Sequence, residues 1–225
     1  MVSYLYECGL QAKSPTQYPS GHGINTLLEL GWSSGYLYLH NCGNNIILLI
    51  FWSFGFLRMG TVGIISQLFG KSDYREIART LSRNFLLSII VAIGIILFKP
   101  IIIDLTKNFF SASADTQELI KTYISVRVLS VPAEFIIYIL VGFYLGIQKT
   151  NISSLLIIIL SALNIVFSSF LVLSLNLNVL GVALGTLLAN YLTAIIFVFF
   201  TYNFIVKKFQ ITPTFQRLIV PSKIL

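Results

Sequence analysis

The chain has 225 residues, of which 56% are hydrophobic and 10% charged; its mean hydropathy is +0.86 and its net charge +7. A water-soluble domain carries about 25% charged residues, so most of this chain must face lipid, and the expected class is an all-α membrane protein of about five transmembrane helices. The positive charge does not mark a nucleic-acid binder, because the basic residues sit in short segments between apolar runs rather than on one soluble face.

Residues 1–43 form an atypical opening segment. Glu7, Pro15, Pro19 and Glu29 interrupt it, and the basic start followed by an apolar run that marks a signal peptide is missing. Cys8 and Cys42 are the only cysteines, so there is no disulfide framework and no cysteine pair at metal-ligand spacing.

The first span is expected over about 44–69 and is closed by Gly70 and Lys71. Arg58 lies near its middle. A central arginine costs about 2.5–3.5 kcal/mol on insertion scales, so it faces a protein interior or a water-filled cavity, and the alternative of snorkelling to the headgroups has poor reach from mid-span. The polar stretch that follows places Arg75, Arg79 and Arg83 at i,i+4 spacing, hence on one helical face. That face suits either phospholipid headgroups or plain solvent.

A second span is expected over 85–105, with a kink or early exit at Lys99-Pro100. The next connector is mildly acidic, with Asp104, Lys107, Asp115 and Glu118. The third span, 119–148, is interrupted by Pro132. Arg127 and Glu134 are seven residues apart and so nearly share a helical face, which allows a buried polar cluster at a broken helix. The alternative is an interfacial Arg127 with Glu134 paired locally.

No charged residue occurs over 150–206, almost three times the roughly 20 residues that one crossing needs. The break falls at Asn176-Leu177-Asn178 and Gly181, giving spans over 152–175 and 179–206. Asn164, Thr186 and Asn190 are hydrogen-bonding groups in otherwise apolar runs, and Gly142-x-x-x-Gly146 and Gly181-x-x-x-Gly185 read as close helix contacts. Residues 207–225 are basic, carry Pro213 and Pro221, and leave the membrane. Lysine and arginine alternate between successive connectors, dense at 70–84, sparse at 105–118, present at Lys149, absent near 176 and dense in the tail. Five spans with a cytoplasmic C-terminus require that alternation.

Neither His22 nor His40 has a partner at ligand spacing, no phosphate-binding glycine loop occurs, and no nucleophile–base pattern is evident. No enzyme, cofactor or resident metal is expected.

The run Phe51-Trp-Ser-Phe-Gly-Phe-Leu-Arg58-Met-Gly-Thr-Val-Gly-Ile-Ile-Ser-Gln67-Leu-Phe-Gly70 resembles the second helix of the multidrug and toxic compound extrusion (MATE) family, closest to its DinF-like branch. Tyr123-Ile-Ser-Val-Arg127, Pro132-Ala133 and Gly142-Phe-Tyr-Leu-Gly146-Ile-Gln148 resemble its fourth helix. Asn164-Ile165-Val166 and Gly181-Val-Ala-Leu-Gly-Thr186 resemble the fifth and the start of the sixth. The resemblance covers about 46–220 and implies helices two to six of a six-helix lobe, an incomplete first lobe.

What the resemblance implies is a cation-coupled antiporter of the cytoplasmic membrane, exporting small organic compounds through a cavity between two six-helix lobes. Proton or sodium is the implied coupling ion. Arg58, Gln67, Arg127, Glu134, Asn164, Thr186 and Asn190 are then the candidate cavity residues. The family's first helix, with its coupling aspartate, is not recognisable in 1–43, and Ser168 stands where many members carry a second aspartate. The expectation is therefore a partial lobe that needs a second lobe to transport, its opening segment reading as a shifted frame or gene remnant. Two other readings stay open: a non-transporting membrane fragment, and a lipid-linked sugar flippase of the wider superfamily.

Overall fold

The structure, a computed structural model, describes residues 52–109, 114–175 and 177–209. Among these residues there are seven α-helices and no strand: α1 (Phe56–Gly70), α2 (Tyr74–Leu97), α3 (Lys99–Phe109), α4 (Ala114–Val128), α5 (Val131–Gly146), α6 (Thr150–Leu173) and α7 (Asn178–Phe209). The opening segment, the start of the first expected span and the tail beyond 209 lie outside the described residues.

Three helices are long and apolar enough to cross a bilayer: Tyr74–Leu97, Thr150–Leu173 and Leu180–Lys207. The pair Lys121–Val128 and Val131–Gly146, bent by 48° at the break between them, passes the same test only when its two helices are counted together as one broken span. The helix stops at Val128 and restarts at Val131, so the third expected span is interrupted beside Pro132. The physical reason is Pro132, which has no N–H to bond the Val128 carbonyl and whose ring crowds it, so that it is tolerated only in the first turn of a new helix. Pro100 acts in the same way: α2 ends at Leu97, and α3 begins at Lys99 with the proline in its first turn. The basic stretch after Gly70 is not a loop. It forms the opening turns of α2, capped by Asp73, whose Oδ1 accepts the Glu76 backbone N–H at 3.1 Å.

The chain divides into two compact units. One contains Phe54–Gly94, Ser130–Asn164 and Leu188–Leu225. Its centre is α5, which is apolar around its whole circumference and buried along nearly its whole length, with Phe135, Ile139, Leu140, Phe143 and Tyr144 fully enclosed. Helix α1 reaches this core with a narrow stripe, Leu57, Thr61 and Ile65, spaced by one turn. Because lipid is as apolar as leucine, these helices associate through close packing and hydrogen bonds rather than hydrophobic burial. Gly142 and Gly146 supply the close packing. A Cβ on Gly142 would lie 2.8 Å from the Arg58 carbonyl oxygen and 2.9 Å from the Thr61 Cβ, and one on Gly146 would lie 2.8 Å from the Ile65 Cγ2.

The other unit contains Met1–Ser53, Ile95–Leu129 and Ile165–Leu187. Within it α3 packs on α4. The second glycine pair works like the first: a Cβ on Gly185 would meet the Ser168 Oγ at 2.5 Å, and one on Gly181 the Leu171 carbonyl carbon at 3.2 Å.

The outward faces are aliphatic. Leu86, Ile90 and Ile93 of α2, Ile158 and Ile165 of α6, and Ile195 and Phe199 of α7 are all exposed. Only 17% of the apolar stretch of α2, and the same share of α6, is buried inside the chain. Such surfaces require lipid, and the protein is an integral membrane protein.

Candidate functional site

Polar side chains inside apolar helices mark where chemistry or recognition is placed, because each has a cost in lipid unless it is partnered. Glu134 occupies the first turn of α5, with its backbone N–H bonded to the Ser130 carbonyl at 3.0 Å. The restart of the helix at Val131 puts this carboxylate at the positive end of the α5 dipole, an interaction worth about 0.3–1 kcal/mol. Its Oε1 accepts a 2.8 Å hydrogen bond from Asn190 Nδ2 of α7, and Asn190 is buried.

Further along the same helix, the Tyr144 hydroxyl and Thr201 Oγ1 are 2.7 Å apart, again joining α5 to α7. On the other side of α5, Thr61 Oγ1 donates to the Leu57 carbonyl at 2.7 Å and accepts from Asn84 Nδ2 at 3.0 Å, tying α1 to α2. Thr193 lies one turn beyond Asn190, and its hydroxyl is fully buried without a hydrogen-bond partner among the described residues.

Among the candidate residues, Glu134 and Asn190 meet directly. Arg127 ends α4, and is buried. Its seven-residue spacing from Glu134 does not set a shared helical face, because the helix breaks between them. Asn164 is half-buried on α6, and Thr186 is half-buried on α7, where its Oγ1 donates to the Val182 carbonyl at 2.9 Å. Arg58 and Gln67 both project from α1 and are exposed. Arg58 lies about 18 Å along the helix from Gly70, at ~1.5 Å per residue, which is near mid-depth of a 30 Å hydrocarbon layer where Gly70 marks the end of the expected first span. Also exposed on α1 are Gly60, Gly63 and Ser66, interspersed with Met59 and Ile64. Small and polar residues at membrane depth make a poor lipid face. They suit an aqueous cavity or a protein partner.

Sequence reasoning missed the Tyr144–Thr201 and Thr61–Asn84 bonds. The available signal was a tyrosine, two threonines and an asparagine inside apolar helices, which are weak marks until the partner helix is known. Among the described residues there is no group of three or more histidines, cysteines or carboxylates that could hold a metal ion.

The MatE family profile matches residues 30–170, more than half of the chain and reaching upstream of Asn44. The DNA damage-inducible protein F of Escherichia coli (strain K12) is 36% identical over 63% of this chain and 31% of its own length. The multidrug export protein MepA of Staphylococcus aureus (strain MRSA252) is 29% identical over 63% of this chain and 32% of its own. Among solved structures, the outward-facing conformation of a multidrug resistance MATE family transporter superimposes with a TM-score of 0.70 at 20% identity, covering 90% of this chain and 46% of that one. A MOP superfamily transporter from Pyrococcus furiosus gives 0.71 at 21% identity, with the same shares of 90% and 46%. The chain thus spans about a third of the length of the curated relatives it matches and under half that of the solved transporters.

Proposed function

The chain belongs to the MatE family, and we propose that it forms part of the first lobe of a cation-coupled transporter exporting small organic compounds across the cytoplasmic membrane. The lobe works with a second lobe of six helices. Arg58 carries the reading: a guanidinium near the bilayer midplane, exposed from its own chain, requires water or a second protein surface opposite it. The exposed side chains of α1 line the transport cavity, with Gln67 nearer the helix end. Glu134 and Asn190 are the deeper polar pair that senses the coupling ion, proton or sodium. Arg127, Asn164 and Thr186 are pathway residues of the same lobe. The inner side of the membrane holds the basic turns and the C-terminus, as the excess of lysine and arginine there favours.

In this reading cavity polarity and coupling are divided between helices. A substrate cation or amphiphile meets α1, while protonation of Glu134 breaks or remakes its bond to Asn190 and so changes how α5 and α7 hold together. The test is dye export in inverted membrane vesicles energised by a proton or sodium gradient, with the chain alone and with a second lobe supplied. Gradient-driven export is expected only with both lobes, reduced at least tenfold by Arg58→Ala and by Glu134→Gln. Export by the chain alone would refute the need for a second lobe. No export under any arrangement would leave a non-transporting membrane protein.

A further inference from the structure

One stripe of α2 carries two chemistries in sequence. Arg75, Arg79 and Arg83 are spaced by one turn, and the same i+3/i+4 track continues through Leu86, Ile90 and Ile93. The three aliphatic side chains are more than half exposed, at 56%, 58% and 51%. The helix therefore presents three guanidinium groups in line with an exposed aliphatic stripe that lipid chains can cover.

The guanidinium groups are held in place. The half-buried Glu76 carboxylate accepts from Arg79 at 3.1 Å with one oxygen and from Arg83 at 3.2 Å with the other. Pairs this exposed contribute little stability. Their consequence is positional: both arginines are fixed on the face of α2 rather than extended into solvent. A guanidinium has five N–H donors in a rigid fork suited to phosphate oxygens. The depth agrees. From Leu86 to Ile93 the helix rises about 10 Å, within the ~15 Å of one hydrocarbon leaflet, and Arg83 lies one turn outside it. Tyr74 stacks on Phe209 at the same end, with ring centroids 4.6 Å apart, as aromatic side chains do at membrane surfaces. Exposed Lys71 adds positive charge beside Arg75.

We propose that this stripe is a binding site for an anionic phospholipid, its phosphate held by Arg79 and Arg83, its headgroup reached by Arg75, and one acyl chain lying along Leu86, Ile90 and Ile93. A charge that merely orients the helix needs neither the carboxylate clamp nor the alignment with the aliphatic track. The site does not depend on the transport reading.

The test is native mass spectrometry of the full chain in neutral detergent with phosphatidylglycerol or phosphatidylcholine, helix content being checked by circular dichroism. The wild type should retain phosphatidylglycerol at least about tenfold better, since each basic residue near an anionic headgroup contributes roughly a fivefold preference and three arginines act together. Arg79→Gln/Arg83→Gln should abolish the preference. Arg75→Gln, a surface change that folding tolerates, should weaken it several-fold even if the double variant does not fold. Lys149→Gln, which removes a charge from the unit's other tight turn, should leave it intact. Equal loss in Lys149→Gln and Arg75→Gln would mean diffuse attraction and overturn the site, as would absence of preference in the wild type. Displacement of the lipid by millimolar inorganic phosphate would assign the arginines to a soluble anion instead.

Discussion

Glycine positions in this chain differ sharply in what surrounds them. A methyl group on Gly142 would press on the Arg58 carbonyl, a backbone atom that cannot swing aside, and on the Thr61 Cβ, while one on Gly94 would meet nothing within 4 Å. Gly142→Ala should therefore destabilise by about 1–3 kcal/mol through overpacking. Gly94→Ala should be neutral or stabilise by up to about 1 kcal/mol, since alanine is the better helix former. Thermal unfolding in detergent, followed by helix content, separates the two, and equal effects would contradict the close α1–α5 contact. The glycine spacing was legible in the sequence because only small residues at i,i+4 permit such an approach. Which helix approached was not, since spacing on one helix says nothing about its neighbour. Glu134 shows the same limit. Its presence in an apolar helix announced a partner, yet the nearest charge in sequence, Arg127, lies across a helix break, and the observed partner, Asn190, is on α7. A double-mutant cycle with Glu134→Gln and Asn190→Ala should give a coupling of about 0.6 kcal/mol and at most about 1.7 kcal/mol, the range for interhelical hydrogen bonds in membranes.

At the scale of whole helices, two endings follow one design. After α1, Ser72 takes a left-handed conformation with φ of 55°, and the Asp73 N–H bonds back to the Leu68 carbonyl at 3.0 Å. After α5, Gln148 has φ of 60°, and the Lys149 N–H reaches the Tyr144 carbonyl at 2.8 Å. Both are helix-terminating motifs in which the left-handed residue is usually glycine. Here glycine stands two positions earlier, at Gly70 and Gly146, and a residue with a side chain bears the strain. Ser72→Gly and Gln148→Gly should each stabilise the protein by up to about 1 kcal/mol, the left-handed penalty being partly offset by a more flexible unfolded chain. A fall in the unfolding midpoint for both would mean that the side chains hold these turns by contacts that outweigh the strain. The helices themselves could be read from the sequence, since uncharged runs of this length admit little else. Their ends were less legible. Arginines repel hydrocarbon, which puts the expected second span at 85–105, whereas the hydrogen-bonded helix starts at Tyr74, charged turns outside lipid being as helical as apolar ones within it.

On the scale of the unit that contains α5, geometry constrains orientation independently of any count of charges. Thr61 lies against Gly142 and Ile65 against Gly146, so α1 and α5 run parallel. Glu134 pairs with Asn190 and Tyr144 with Thr201, so α7 runs parallel to both. Their C-terminal ends then share one side of the membrane, and these are the ends that carry Lys71, Lys149 and Lys207. Parallel packing places these three basic ends on one side, and the proposed topology makes that side the cytoplasmic one. Cysteine labelling checks this directly, after Cys8 and Cys42 are replaced by serine. Single cysteines at Lys71 and Lys149 should react with a membrane-impermeant maleimide in inverted vesicles and stay unlabelled in intact cells. Asp104, beyond the kink that follows α2, should show the opposite pattern. If the cysteines at 71 and 149 labelled from opposite sides, the parallel arrangement of α1 and α5 would be untenable in the membrane, because no crossing helix can keep the glycine contacts while reversing direction.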